Sequence, residues 1–255
     1  MRTKRLREIL VGVLLVVLLL VSCGGGGGGG GGSSSVISLK TSTIRSESIG
    51  DYWHWSGTGT LNDGSTTINL TGTMSTQILS TMKQSPINFT NCLVEYSVLT
   101  LSGPGGPVSG DDYSYFLQDA NGAIYEYGRK ELGQDVWVVS PSIGYFLSTA
   151  SPMGVGQSNS GIAWYNDESK ITYSYTVTSK ENVSTSLGTY ESYKLSISFT
   201  FEYFWGDSVV VSKNIWYVPG LGTLKVVANE TLYSGGIFQY ALDYTASLDD
   251  TNVIY

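Results

Sequence analysis

LSISFTFEY, residues 195–203, alternates without a break. Leu195, Ile197, Phe199, Phe201 and Tyr203 fall on one face, and Ser196, Ser198, Thr200 and Glu202 on the other. A period of two marks a strand with one buried and one wet face. ITYSYTVT repeats the pattern with Ile171, Tyr173, Tyr175 and Val177 inward. Further strands are expected at 66–74, 92–101, 113–117, 123–127, 136–140, 208–218, 223–232 and 237–244. Beyond residue 35 no stretch has helical periodicity. Many successive strands without helices between them imply antiparallel pairing. The expected fold is all-β, a curved antiparallel sheet or an open half-barrel.

Asp119-Ala120-Asn121-Gly122 reads as a hairpin turn, since Asn-Gly tolerates the positive φ such turns need. Residues 115–127 (YFLQDANGAIYEY) align without gaps on 215–227 (IWYVPGLGTLKVV), with Phe116 over Trp216 and Gly122 over Gly222. Two related β-units, 50–140 and 160–248, are therefore expected. The Gly/Ser/Pro-rich stretch 140–162 reads as their connector. Pro219-Gly220 is a tight-turn signal. Gly222 could supply a bulge, and Trp216 could meet Leu224 across the hairpin.

The N-terminus is of a different kind. Arg2, Lys4, Arg5 and Arg7 precede an apolar run from Ile9 to Val21. Thirteen helical residues span roughly 20 Å, short of the ~30 Å hydrocarbon core. This pattern reads as a secretion signal over residues 1–22. Nine glycines and three serines, 24–35, then form a linker with an r.m.s. span of about 20 Å and a limit near 40 Å. The β-domain follows at 36–255.

The chain carries 14 Lys+Arg and 21 Asp+Glu. Loss of the signal removes four basic residues and Glu8, leaving a net charge of about −10. An acidic body disfavours nucleic acid and anionic lipid surfaces as partners. Cys92 sits in a strand-like run and reads as a buried, inert thiol.

Leu20-Val21-Ser22-Cys23 resembles the lipobox of bacterial lipoproteins. The resemblance implies cleavage before Cys23 and acylation of its sulfur, so that the membrane is a partner through the N-terminal lipid. Gly24 after the cysteine fits the outer-membrane sorting pattern of such proteins. The body also resembles an uncharacterised family of envelope lipoproteins. Glu181, Val183, Gly188, Thr189, Tyr190 and Lys194 match its strand pair. Trp216, Tyr217, Pro219, Gly220, Gly222 and Lys225 match its C-terminal hairpin. DYWHWSGTG resembles its opening aromatic strand. Some relatives are likened to lipoprotein-carrier half-barrels, which hold acyl chains in a concave face. The hairpin itself reads as structural.

Little in the chain suggests catalysis. The one histidine, His54, lies between Trp53 and Trp55 as a strand residue. No Gly-x-Ser-x-Gly elbow exists, and one His with one spare Cys cannot bind zinc. Ser80-Thr81-Met82-Lys83 lacks the motifs that accompany a Ser-x-x-Lys nucleophile. Lys130 stands where a calcium loop at Asp119 needs a bidentate Glu. The pairs Asp111-Asp112, Asp167-Glu168 and Asp249-Asp250 read as solvated turns. The chain is expected to be neither an enzyme nor a cofactor protein. Its 18 Tyr, 6 Trp and 7 Phe suit a β-surface that binds an apolar or amphipathic ligand, such as a lipid, or one that docks another envelope protein.

Overall fold

The computed structural model describes residues 36–42, 44, 47–79, 92–118, 124–131, 137–144, 152–165 and 169–253. The signal, Cys23, the glycine linker, the Asp119 turn and the Ser80 motif lie outside the described residues. Among those residues there are twelve strands and no helix. They are β1 (Tyr52–Asn62), β2 (Thr67–Leu79), β3 (Leu93–Gly103), β4 (Gly106–Gln118), β5 (Ile124–Glu131), β6 (Trp137–Gly144), β7 (Ser158–Tyr165), β8 (Ser169–Thr185), β9 (Gly188–Glu202), β10 (Asp207–Val218), β11 (Gly222–Ser234) and β12 (Ile237–Thr251). Each pairs antiparallel with its neighbour in sequence.

The expected curved antiparallel sheet is what the chain forms, and it curls until β1 also pairs with β12. The ring is held most thinly between β6 and β7, where Val139↔Tyr165 and Ser140↔Trp164 are the paired positions. Residues 158–162, expected to be connector, lie in β7 instead. Asp111 and Asp112 lie within β4 and Asp249 and Asp250 within β12, not in turns. Tertiary partners override local turn propensity there: Asp112 meets a buried arginine.

The period-two pattern decides which face is buried. Leu195, Ile197, Phe199 and Phe201 of β9 are at most 4% exposed. They join Ile171, Tyr175, Val177, Val211 and Ile215 in one interior cluster that reaches round to Trp53, Trp55 and Tyr240. The outward faces carry Ser56, Thr58, Thr71, Thr73, Thr172, Ser174, Ser196, Ser198 and Ser212, all exposed. A membrane-spanning barrel has an apolar outer band; this wall is hydroxyl-rich and suited to water.

One corner depends on residues without side chains. Inward-facing Gly57 is opposite Gly72 on β2 and Ala246 on β12. The missing Cβ atoms let β12 pass close under β1. Nearby, the Trp53 and Trp55 indoles donate to the Leu221 and Thr223 carbonyls at 3.0 and 2.9 Å. These bonds tie β1 to the start of β11 without orphaning a buried N–H.

The meander gives the barrel two ends. The turns at 186–187 and 219–221 lie at one, and those at 63–66, 104–105, 203–206 and 235–236 at the other. The β8–β9 hairpin overhangs β10, whose pairing with β9 begins at Tyr193. Ile37 fills that free edge: its N–H donates to Thr189 O at 2.7 Å and its carbonyl accepts from Glu191 N–H at 3.0 Å. This contact blunts an otherwise open edge. It also brings the N-terminal segment out at the 186–187 end, hereafter the proximal end.

Candidate functional site

The motif residues of the two C-terminal hairpins come together on the outer wall. Trp216 lies beside Lys194 on β9 and Lys225 on β11. Their ammonium groups are 5.2 and 5.0 Å from its ring centroid. The Trp216 indole donates to Glu181 Oε2 at 2.9 Å, and Ser179 Oγ donates to Glu181 Oε1 at 2.7 Å. The Trp216 bond, then the Ser179 bond, hold the Glu181 carboxyl below its ordinary pKa. Trp216 is 9% exposed, roofed by the lysines. The arrangement is a structural clasp across β8 to β11 and offers no open face to a ligand.

The hairpin turn follows its residue types. Leu221 N–H donates to Val218 O at 2.9 Å, with Pro219 next and Gly220 at φ +96°. Proline followed by a positive-φ glycine makes a type II turn. Two details differ from expectation. The register shift falls between Trp216 and Tyr217, opposite Lys225 and Thr223, so Leu224 is the extra residue rather than Gly222. Trp216 therefore faces Lys225, and Leu224 turns into the core, 0% exposed. Gly222 has φ +109° and starts β11. Tyr217 points inward and is fully buried.

His54 faces outward, away from the two tryptophans, and its Nδ1 pairs with Asp249. Cys92 is 3% exposed beside Val94 and Tyr115, and burial pushes its thiol pKa up.

A charged network inside the barrel was not foreseen. Arg129 Nη1 is 2.9 Å from Asp112 Oδ2 and its Nε is 3.1 Å from Glu126 Oε1. Lys213, 1% exposed, enters from β10 and lies 5.5 Å from the Phe199 ring centroid. Desolvation, with the Arg129 charge behind it, holds the Lys213 pKa well below the ordinary lysine range. On β11, Glu230 accepts a hydrogen bond from the Tyr240 hydroxyl at 3.3 Å, and burial drives its carboxyl pKa well up. All of these groups are buried among the strands. The sequence signal was weak: Arg129 and Lys213 are ordinary charges on strands until the ring closes around them.

Among the described residues, two spaces border β1, β2, β11 and β12, one of them an open space of about 490 Å³ against Thr58, Asn69, Val227, Asp243 and Thr245. The other is a cavity of about 50 Å³ between Trp55, Leu70, Met74, Leu99, Leu242 and Tyr244. Gly57 and Gly72 border it. The buried Tyr244 hydroxyl makes no hydrogen bond there. A dry cavity of about 150 Å³ is what admits benzene, so this one has no room for an acyl chain.

Among the described residues, the exposed aromatic side chains lie toward the end opposite Ile37. Phe204 and Trp205 in the β9–β10 turn are 66% and 51% exposed, and Ile237 and Phe238 opening β12 are 69% and 39% exposed. Phe204 and Trp205 fall between the strands expected at 195–203 and 208–218, and Ile237 and Phe238 open the one expected at 237–244, so the sequence did not mark them as a surface.

No family model and no curated protein matches the chain. Two solved structures are similar to it. One is a provisionally assigned lipoprotein of Parabacteroides distasonis ATCC 8503, at 11% identity over 84% of this chain and 99% of that one, with a TM-score of 0.36. The other is a provisionally assigned exported protein with a YmcC-like fold from Bacteroides fragilis NCTC 9343, at 11% identity over 84% and 99%, with a TM-score of 0.33. Likeness at this level carries no argument about the present chain.

Proposed function

We propose that this is a non-catalytic lipoprotein of the bacterial outer membrane, anchored through Cys23, that docks another envelope protein. One observation carries the docking reading: large apolar side chains are exposed at the end of the barrel away from the N-terminal segment. The signal-like N-terminus, the lipobox resemblance and the glycine linker support the anchor. The water-suited outer wall supports a barrel held off the bilayer.

A second reading has its own support. The apolar cavity with its lone Tyr244 hydroxyl fits a protein that holds a small apolar ligand with one hydrogen-bond acceptor. At about 50 Å³, that ligand has only a few heavy atoms.

Labelled palmitate and amine-reactive crosslinking of intact cells test the docking reading together. The wild-type chain is expected to take up label and to form a discrete adduct with another envelope protein. Cys23→Ser is expected to lose both. A wild-type chain without label overturns the anchor, and a labelled chain without any adduct overturns docking.

A further inference from the structure

We infer that the distal end of the barrel is the docking surface, and that its partner is a protein offering an apolar socket rimmed by Lys or Arg. The inference rests on the docking reading above and gives it a place and a partner chemistry.

All four exposed aromatic side chains among the described residues, Trp164, Phe204, Trp205 and Phe238, lie toward this end. The two aromatic turns touch: Gly235 N–H donates to Gly206 O at 3.3 Å. Their rings are already ordered. Trp205 stacks on Tyr203 at 4.5 Å and 16°, and Phe204 meets Trp205 edge-on at 4.9 Å. Tyr233 and Phe238 are 6.4 Å apart on the neighbouring hairpin. Preordered aromatics lose little side-chain entropy on binding. The Trp205 indole N–H already donates to Asp207 Oδ2 at 3.0 Å, so a partner can cover the ring without stranding a donor.

Four large apolar side chains about half exposed offer on the order of 400 Å². Patches of that size mark interaction sites on otherwise ordinary surfaces. It is also about half of one side of a standard stable interface, which suits a contact that forms and releases.

Charge selects the occupant. Asp207 flanks Trp205, and Asp63 lies in the adjoining β1–β2 turn. Glu202, at the end of β9, is paired with Lys170 at 2.6 Å. An acidic rim repels lipid phosphate and repels a second copy of itself, whereas a basic rim complements it. The tether agrees. From Tyr190, beside Ile37, to Glu202 the barrel wall runs about 40 Å. The linker's r.m.s. span is about 20 Å. The N-terminal segment leaves from the opposite end of the wall, beside Thr189 and Glu191.

The test places a photo-crosslinking amino acid at Phe204, Phe238 or Ser56 in the full-length chain in living cells. Ser56 is the exposed control on the wall. Phe204 and Phe238 are expected to give one discrete adduct with the same protein, and Ser56 none. Trp205→Ser in the same chain should cut the yield at least about tenfold, as loss of a hot-spot anchor does. Asp207→Lys should also lower it. Unchanged circular dichroism and a protected Cys92 thiol show that each variant is folded. Adducts from Ser56 alone, to lipid or to a second copy overturn the distal surface but leave docking standing. So do Phe204 and Phe238 adducts indifferent to Trp205→Ser and Asp207→Lys. No adduct from any position overturns both.

Discussion

A Cβ placed on Gly57 would fall 2.3 Å from the carbonyl oxygen of Thr245, and 2.9 Å from the Ala246 Cα. Both atoms are backbone of β12, so neither can move aside cheaply. Gly57 is one of the positions where β12 passes close under β1, whose pairing runs from Trp53↔Thr251 to Asn62↔Ala241.

Gly57→Ala should therefore cost about 3 kcal/mol or more, the upper range for overpacking. Gly72→Ala on the partner strand is the contrast. Its Cβ would meet Leu101 Cδ2 at 2.8 Å, the far end of a flexible side chain. Urea unfolding of the two variants should show the first much weaker than the second.

Asp112 should hold its proton unusually long. Burial, helped by the Asp111 charge and opposed by Arg129, raises its pKa from 3.8 to about 6. The folded state then binds that proton more tightly than the unfolded chain. The residue's contribution to stability is complete below about pH 4 and is lost as pH rises through 6. A shift of about two pH units amounts to about 3 kcal/mol. Carboxyl ¹³C NMR should find the midpoint near 6, and Arg129→Met should move it higher. A midpoint that falls on removing the arginine would contradict this account of the network.

Trp216→Phe keeps a ring between Lys194 and Lys225 but removes the bond to Glu181. The expected loss is about 1.5 kcal/mol in urea unfolding, the low end for a hydrogen bond to a charged group, because the Glu181 carboxylate is part-exposed. The Glu181 carboxyl should move back up toward its ordinary pKa. An unchanged Glu181 titration would show that the clasp does not work through this bond.

Cys92 should be inert while the protein is folded. Burial both covers the thiol and disfavours its thiolate, the reactive form. Alkylation by iodoacetamide should be slow in buffer and fast in denaturant, with the native rate tracking opening of the β2–β4 region.

Strand identity was legible wherever one face meets water. Leu195 to Tyr203 and Ile171 to Val177 declared both strand and inward face through alternation alone. The pattern fails where the inward face is polar or empty. Asp112 and Ser114 face the interior of β4 beside Arg129, and Gly57 and Gly72 present nothing for a pattern to show. Asp111 and Asp112 therefore read as turn, though they are strand. Ring closure was not legible, because the β1–β12 register depends on the fit of Gly57 against Thr245, nearly two hundred residues away. The Trp216 clasp was visible as a motif, but its geometry was not: one extra residue, Leu224, changes the partner of Trp216 from Leu224 to Lys225. The distal aromatics were visible as residues and became a surface once two turns met.

Native mass spectrometry tests the central claim most directly, because a barrel that docks protein at its distal end, with an inner cavity of only about 50 Å³, should carry no lipid. The mature chain with Cys23→Ser, exported behind a cleavable signal and purified gently from the envelope, should give the mass of the polypeptide alone. A bound mass of lipid size, lost on denaturation, would show that the interior opens to hold an acyl chain and would contradict the account.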